Sequence, residues 1–203
     1  MRFLLKIDLH VHASERSECA TSNEENQIRA AISAGLDAIA FTDHHLLVPA
    51  SHLVELNQKY APFKIYTGIE ITAGSEDWLV YGINHPRLER EDWHYPSLVD
   101  FVHRAGGFIA LAHPFRYATS IRQDIAAYLP DAVEIRSQNT PEYKESEIRN
   151  IATRLGLVPL TNSDAHETKK LGKYFNIFPA LPIDDMDLVA QLNQMKLVAP
   201  SAT

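Results

Sequence analysis

The sequence predicts an α/β fold in which about seven strand–helix units form a closed or nearly closed barrel. Short apolar runs of strand length alternate with stretches whose apolar residues recur at helical spacing, which favours parallel β–α–β units. Histidines and carboxylates gather where the predicted strands end, as they do on the active face of an α/β barrel. The alternative is an open doubly wound sheet, but no glycine-rich phosphate loop follows the first strand.

The composition is that of an ordinary globular chain. Of its 203 residues, 45% are hydrophobic and 22% are charged. No apolar run reaches the ~18 residues that would predict a membrane span. The single Cys19 and an apolar N-terminal stretch too short for a secretory signal favour a cytoplasmic protein without disulfides. The formal charge of −7 disfavours a general nucleic-acid-binding surface. The length favours one domain over residues 1–203.

The first strand is predicted from the apolar residues Phe3–Ile7, which lead into the motif Asp8–His12. Because side chains alternate between the two faces of a strand, Asp8, His10 and His12 should share one face. The opposite face would then carry Ile7, Leu9 and Val11. Two imidazoles on one strand can bind the same metal ion, and Asp8 could be a ligand or could orient one of them. A lone His-x-His is weak evidence, so the later motifs decide the case.

Capping residues and glycines delimit the predicted helices. The first begins at Glu24, after a capping residue among Thr21, Ser22 and Asn23, and ends at Gly35. The other helices are predicted at 50–60, 97–105, 121–128, 142–155 and 184–195. The later strands are predicted at 36–42, 63–71, 79–83, 108–112, 132–135, 157–161 and 174–178. We expect the segment 167–203 to close the barrel with its strand and helix.

Potential metal ligands occur at or near the ends of five predicted strands: His10, His12, Asp43, His44, Glu70, His113, Asp164 and His166. Strand ends converge on one face of an α/β barrel, so these side chains should meet there. Histidine and carboxylate without thiolate suit Zn²⁺, Mn²⁺ or Fe²⁺. The ligands are too many for one tetrahedral ion, whereas two or three ions that share a bridging carboxylate would use them all.

Five motifs in order resemble those of the polymerase and histidinol phosphatase (PHP) domain family: Asp8–His12, Thr42–His44, Gly68–Glu70, Ala112–Pro114 and Ser163–His166. The motifs lie within residues 8–166. The resemblance implies a distorted (β/α)7 TIM-like barrel with a di- or trinuclear metal centre that hydrolyses phosphate esters.

The resemblance also implies a ligand for each ion. One ion would be held by His10, His12, Glu70 and Asp164. Glu70 would bridge to a second ion bound by His113, and a third would be held by His44 and His166.

Two positions depart from the family pattern. Where a histidine or aspartate often follows the first motif, this chain has Glu18, which can serve as a metal ligand. Another histidine usually lies between the glutamate motif and the following strand. Here Asp77 is the candidate replacement, and the alternative is that the second ion binds weakly. The number of ions, two or three, therefore stays open.

Arg116 and Tyr117 follow the His113 motif, and we expect them to bind substrate. In the family, His-Pro-x-Arg-Tyr recurs in a branch that acts on small phosphate esters, including nucleotides. The forked guanidinium of Arg116 suits a phosphate, and the alternative is an ion pair at the surface. We expect Asp164 and His166 to act with Arg116 in catalysis. Glu134, Arg136 and Asn139 lie at or after the sixth strand and could also face the site.

The sequence therefore predicts a metal-dependent phosphoric ester hydrolase. Its substrate would be a small phosphomonoester, such as a nucleotide or a sugar or amino-alcohol phosphate, attacked by a metal-bound hydroxide. A PHP-type nuclease is an alternative that the acidic charge disfavours. A non-catalytic metal-binding interaction module is another, and the near-complete ligand set counts against it. We expect no membrane partner, and the oligomeric state stays open.

Overall fold

Eight strands curl into a nearly closed barrel surrounded by five helices in the computed structural model, which describes residues 4–90 and 92–196. The strands are β1 Leu5–Val11, β2 Ala38–Phe41, β3 Lys64–Ala73, β4 Glu76–Tyr81, β5 Phe108–Leu111, β6 Ala132–Arg136, β7 Val158–Thr161 and β8 Asn176–Phe178. The helices are α1 Glu24–Ser33, α2 Ala50–Tyr60, α3 Tyr95–Arg104, α4 Glu145–Leu155 and α5 Asp185–Lys196. Phe3, with which the first strand was predicted to begin, and the predicted domain's last residues, 197–203, lie outside the described part.

The strands follow the order β7-β6-β5-β4-β3-β2-β1-β8 around the barrel. β1, β2 and β3 are parallel, as are β5, β6 and β7, whereas β4 is antiparallel to both of its neighbours and β8 to β1. The Asn176 side chain spans the gap between β8 and β7. Its Nδ2 donates to Thr161 O at 3.0 Å, and its Oδ1 accepts from Thr161 N at 2.9 Å. These bonds replace part of a strand ladder, and the predicted barrel is confirmed.

Apolar side chains fill the barrel and the space beneath its helices. All eight strands contribute to an interior cluster, which Leu188, Val189 and Leu192 of α5 complete. Two outer clusters lie between the strands and the helices, one with α1 and α2 and the other with α3 and α4. Apolar side chains thus pack every strand into the core, which leaves the ends of the strands free for polar groups.

The two faces of β1 differ from the predicted alternation. Ile7 and Leu9 lie in the interior cluster, whereas Val11 packs in the outer cluster beside α1. The pairing of β1 with β2 shifts between Asp8 and Val11, so one extra residue enters β1. The predicted common face for Ile7, Leu9 and Val11 is therefore wrong.

The alternation of strands and helices is interrupted in two places. β3 and β4 form an antiparallel hairpin whose turn, Gly74 and Ser75, has φ values of 65° and 67°. The helix predicted at 121–128 is absent and the segment forms turns. Arg122 N donates to Glu76 Oε1 at 2.7 Å, and Gln123 Nε2 donates to Gly74 O at 2.5 Å. The segment is therefore tied to the β3–β4 hairpin, and its own backbone forms the single helical turn closed by Tyr128 N and Asp124 O at 3.1 Å, not the predicted helix.

Within residues 4–90 and 92–196, no helix has the length and apolarity needed to cross a membrane.

Candidate metal centre

The ends of the strands bring histidines and carboxylates together at one face of the barrel. In the described part of the chain, their ligand atoms form four overlapping groups, each with its atoms within 4.8 Å of one another. The groups are His12–His44–His166, His10–His12–Glu70, His10–His113–Asp164 and Glu70–Asp77–His113. Because they share members, they form one continuous centre.

Glu70 presents its two carboxylate oxygens to different neighbours. Oε1 lies 2.9 Å from Nε2 of His113. Oε2 lies 3.4 Å from Nε2 of His10, 3.2 Å from Nε2 of His12 and 3.1 Å from Nδ1 of His44. A carboxylate that faces two sets of imidazoles has the geometry of a bridging ligand.

Asp164, which follows β7, faces His10 and His12 as Glu70 does, and it also faces His166. Its Oδ1 lies 3.3 Å from Nε2 of His10, 3.2 Å from Nε2 of His12 and 3.4 Å from Nδ1 of His166. Its Oδ2 accepts a hydrogen bond of 2.5 Å from Nδ2 of Asn139. One oxygen is thereby held in place while the other points into the cluster.

Among the buried atoms of the described part that lack a hydrogen-bond partner, four lie close together in the cluster: Nε2 of His10 and His12, Oε2 of Glu70 and Oδ1 of Asp164. A buried polar atom without a partner is costly, so such atoms mark a site for something else. Ligand atoms bound at about 2.0–2.2 Å around one ion in a tetrahedron lie about 3.3–3.6 Å apart. The imidazole–carboxylate separations of 3.2–3.4 Å among these atoms fit a divalent ion in their midst.

Opposite charges in the centre shift several pKa values. Burial opposes a charged His12, yet contacts with Asp164 and Glu70 raise its pKa to about 9. Burial likewise opposes ionisation of Glu70, but His10 and the other imidazoles hold its pKa well below its usual range. Burial lowers the pKa of His44 to about 4. Glu70 opposes this shift, whereas the positive charge of the neighbouring imidazoles adds to it. With a pKa of about 9, His12 of the metal-free centre therefore retains its proton at neutral pH.

Metal binding should release protons and strengthen as the pH rises from 6 to 8. Protonated His12, whose pKa is raised to about 9, must give up its proton before its Nε2 can bind an ion, so each step in pH toward 9 removes competition. Calorimetric titration with Zn²⁺ or Mn²⁺ in buffers of different ionisation enthalpy measures the protons released. An affinity that is constant or falls over this range would contradict the raised pKa.

Glu134 of β6 orients two of the candidate ligands and is fully buried. Its Oε1 accepts from Nδ1 of His10 at 2.9 Å and from Nδ2 of Asn162 at 2.7 Å, while Oε2 accepts from His113 N at 2.8 Å. The contact with Nδ1 fixes the tautomer of His10 in which the Nε2 lone pair faces the cluster. The sequence had only suggested that Glu134 could face the site.

Glu134→Gln should weaken metal binding by about 10- to 100-fold, the usual cost of losing a group that orients a metal-bound histidine. The glutamine amide cannot accept from all three donors, because its NH₂ group would face either His113 N–H or the His10 and Asn162 donors. Competition with a chelator measures the affinity, and Glu147→Gln on the exposed side of α4 is the control. Unchanged affinity in Glu134→Gln would show that Glu134 does not support the centre.

Ser17 connects His12 to Asp43, a contact that sequence reasoning missed. Ser17 Oγ donates to Asp43 Oδ1 at 2.7 Å and lies 3.2 Å from Nδ1 of His12, from which it accepts. Asp43 also accepts from Ala13 N and from Nε of Arg16, both at 2.7 Å. His12 is thus held with Nε2 toward the cluster. The only sequence signal is the proximity of Ser17 to the first motif, since the turn that brings it back is a tertiary feature.

Strained backbone also concentrates here. His113, Phe115 and Asp164 have φ values of 24°, 68° and 53°, in the region that favours glycine. Residues other than glycine persist in this region only where the surrounding structure enforces it, and such positions cluster at functional sites. The strained backbone therefore supports a functional role for the segments that follow β5 and β7.

Arg116 and Tyr117 lie at the open side of the centre. Nη1 of Arg116 is 3.5 Å from Asp164 Oδ2 and 3.4 Å from Nε2 of His113, and the guanidinium carbon lies 4.9 Å from the centre of the Tyr117 ring. The side chains of Arg116, His44 and His166 are 28%, 34% and 21% exposed, unlike the buried ligands. A substrate would reach the centre along this side.

The structure does not bring Glu18 to the cluster. It is exposed and belongs to none of the four groups, because the turn after Ala13 directs Ser17 inward and the next residue outward. Asp8 is also outside the groups, since its Oδ1 accepts from Ser163 N at 3.0 Å and from His10 N at 3.3 Å. Asp77, by contrast, forms a group with Glu70 and His113.

The family model described as the PHP domain matches residues 8–180 of this chain. The chain belongs to the PHP domain family. The resemblance drawn from the five motifs is confirmed, and it covers most of the barrel. Membership of the PHP family, together with the His, Glu and Asp groups, indicates a metal-dependent hydrolase. No curated protein sequence matches the chain.

Several solved structures share the fold of this PHP protein. One is a candidate metal-dependent phosphoesterase from Bifidobacterium adolescentis, with 17% identity, 92% of this chain and 95% of that chain covered, and a TM-score of 0.63. A two-domain protein from Bacteroides vulgatus that contains a predicted PHP-like metal-dependent phosphoesterase has 15% identity, covers 94% and 63%, and scores 0.68. An amidohydrolase from Chromobacterium violaceum, solved with sulfate and no metal, has 15% identity, covers 93% and 96%, and scores 0.64. At these identities the likeness concerns the fold.

Proposed function

We propose that this PHP protein is a phosphoesterase that hydrolyses a small phosphomonoester at a centre of two or three divalent ions. The observation that carries the proposal is the convergence of unpartnered buried ligand atoms of His10, His12, Glu70 and Asp164, with Arg116 beside them. The ligands proposed for the ions are His10, His12, His44, Glu70, His113, Asp164 and His166. When bound, such ions supply an activated water as nucleophile and positive charge for the phosphoryl oxygens.

The chain's own residues would bind and orient the phosphate. Arg116 can exchange its long contacts with Asp164 and His113 for two parallel hydrogen bonds to non-bridging phosphoryl oxygens. Asn139 holds Asp164 Oδ2, so that Asp164 keeps its orientation when Arg116 moves to the substrate. Both effects favour the geometry needed for in-line displacement.

The leaving group would lie toward the half-open rim. His166 is only partly buried, and its Nδ1 also lies 3.1 Å from the carbonyl oxygen of Asp164, which restrains the ring. His166 is therefore placed to hold the ion or water molecule that would stabilise the oxygen of the leaving group. Tyr117, which is 60% exposed beside Arg116, offers a ring against which a planar or apolar portion of the substrate can pack.

Hydrolysis of three chromogenic compounds tests the proposal. With added Mn²⁺ or Zn²⁺ we expect turnover of p-nitrophenyl phosphate, slower turnover of bis(p-nitrophenyl) phosphate and none of p-nitroacetanilide. Metal analysis should find at least two ions per chain. Preference for the diester would favour the nuclease alternative, amide cleavage would favour an amidohydrolase, and a metal-loaded protein inert toward a broad phosphate-release screen would favour a non-catalytic module.

A further inference from the structure

Asp77 stands where members of the family usually have a histidine. In the structure its side chain lies in the candidate metal centre, with Glu70 and His113. We propose that Asp77 completes a carboxylate-rich metal site with Glu70 and His113, and that Asp77 shifts the selectivity of this site toward Mn²⁺ relative to Zn²⁺. The inference deepens the proposed function, because it concerns the same centre.

The β3–β4 hairpin places Asp77 in the site. Along β4, Leu79 and Tyr81 belong to the interior cluster whereas Trp78 and Val80 belong to an outer one, so Asp77 shares the inward face by alternation. Leu79 pairs with Glu70 on β3, which brings the two carboxylates to the same side of the hairpin. The position of Asp77 therefore follows from the register of the hairpin.

The contacts of Asp77 leave one oxygen for a metal. Its Oδ1 accepts from Oγ1 of Thr72 at 2.6 Å, whereas its Oδ2 faces Nε2 of His113 at 3.8 Å. The backbone oxygen of Asp77 accepts from Ala112 N at 2.9 Å, which ties β4 to the residue before His113. Thr72 thus orients the carboxylate, as a supporting group does around a metal ligand.

The surroundings of this point favour a cation. Nη1 of Arg116 lies 3.4 Å from Nε2 of His113, so a positive group already approaches from the open side. Glu70 is 1% exposed and Asp77 9% exposed, so both carboxylates are shielded from water. Two poorly hydrated carboxylates side by side are stabilised by a positive charge between them.

The kinds of ligand atom in each group determine whether that group favours Zn²⁺ or Mn²⁺. The neighbouring group His12–His44–His166 offers imidazoles alone, whereas Glu70–Asp77–His113 offers two carboxylates and one imidazole. Imidazole suits Zn²⁺, while carboxylate oxygens suit Mn²⁺ and other hard ions. Zn²⁺ binds more tightly than Mn²⁺ to most sites, so the expected effect is on the ratio of the two affinities.

The test compares Mn²⁺ and Zn²⁺ binding to the full chain and to Asp77→His and Asp77→Asn variants. Mn²⁺ is counted by electron paramagnetic resonance and Zn²⁺ by competition with a chelator. Asp77→His should raise the ratio of Zn²⁺ to Mn²⁺ affinity at one site by about ten-fold or more. Asp77→Asn preserves the oxygen that Thr72 contacts, and it should weaken Mn²⁺ binding at one site by about ten-fold while the other ions remain bound.

Asp100→Asn on the exposed side of α3 is the matched control, since it makes the same chemical change away from the centre. Both metal affinities should stay at the wild-type values in this variant. Wild-type Mn²⁺ and Zn²⁺ affinities in a folded Asp77→Asn protein would overturn the proposal, even if Asp77→His failed to fold. No substrate enters this measurement. A chain that shows the metal shift but hydrolyses no phosphate ester would therefore overturn the proposed function and leave the Asp77 site standing.

Discussion

Asp164→Ala should lower turnover of a phosphomonoester by about 10³-fold or more while the barrel stays folded. Asp164 Oδ1 is one of the unpartnered atoms in the cluster and faces three imidazoles, so its loss removes a ligand and exposes His10 and His12 to each other's charge. The barrel core is formed by apolar clusters that do not include Asp164. Steady-state kinetics measure the turnover, metal analysis measures the bound ions, and circular dichroism on the same preparation measures whether the barrel is folded.

Asp164→Asn separates charge from shape. An amide preserves the volume and can keep one contact, but it is a poorer ligand, so we expect a similar loss of turnover with a smaller change in stability. His10→Ala should also lose turnover, because His10 lies in two of the four ligand groups. If these variants unfold, the centre is mainly structural. If they retain turnover, the proposed ligand set is wrong.

Arg116→Lys should lower kcat/KM for the true substrate by about ten-fold or more and leave metal content unchanged. The guanidinium already lies within 3.5 Å of Asp164 and 3.4 Å of His113, at the open side of the centre. Lysine keeps the charge but cannot make two parallel hydrogen bonds to phosphoryl oxygens. The measurement is kcat/KM together with bound metal in the purified variant.

Arg104→Lys is the control for this substitution. Arg104 is exposed on α3, where it forms an ion pair with Asp100. Its kinetics should match those of the wild type. Wild-type kinetics in Arg116→Lys would show that Arg116 lies outside the phosphate site. A loss of metal would show that Arg116 supports the ligands and does not bind substrate.

Strand and helix periodicity predicted most of the fold, because alternating and helical patterns of apolar residues report which face of each element is buried. Two features escaped this reasoning. The residues of β4 give no sign of its direction, which is antiparallel because only the two-residue turn at Gly74 and Ser75 joins it to β3. Residues 121–128 have a helical pattern, but bonds to Glu76 and Gly74 hold them in turns. The second feature depends on partners distant along the chain, whereas the first depends on a short turn between adjacent strands.

The sequence by itself determined the type of centre, since histidines and carboxylates at strand ends can meet only where those ends converge. It also determined the family, through the order of its motifs. Tertiary structure alone decided which atoms face one another. The extra residue in β1 separates Val11 from Leu9, Ser17 and Glu134 orient His12 and His10, and Glu18 points to solvent while Asp77 points inward. These outcomes depend on register and long-range hydrogen bonds, which no local pattern of residues encodes.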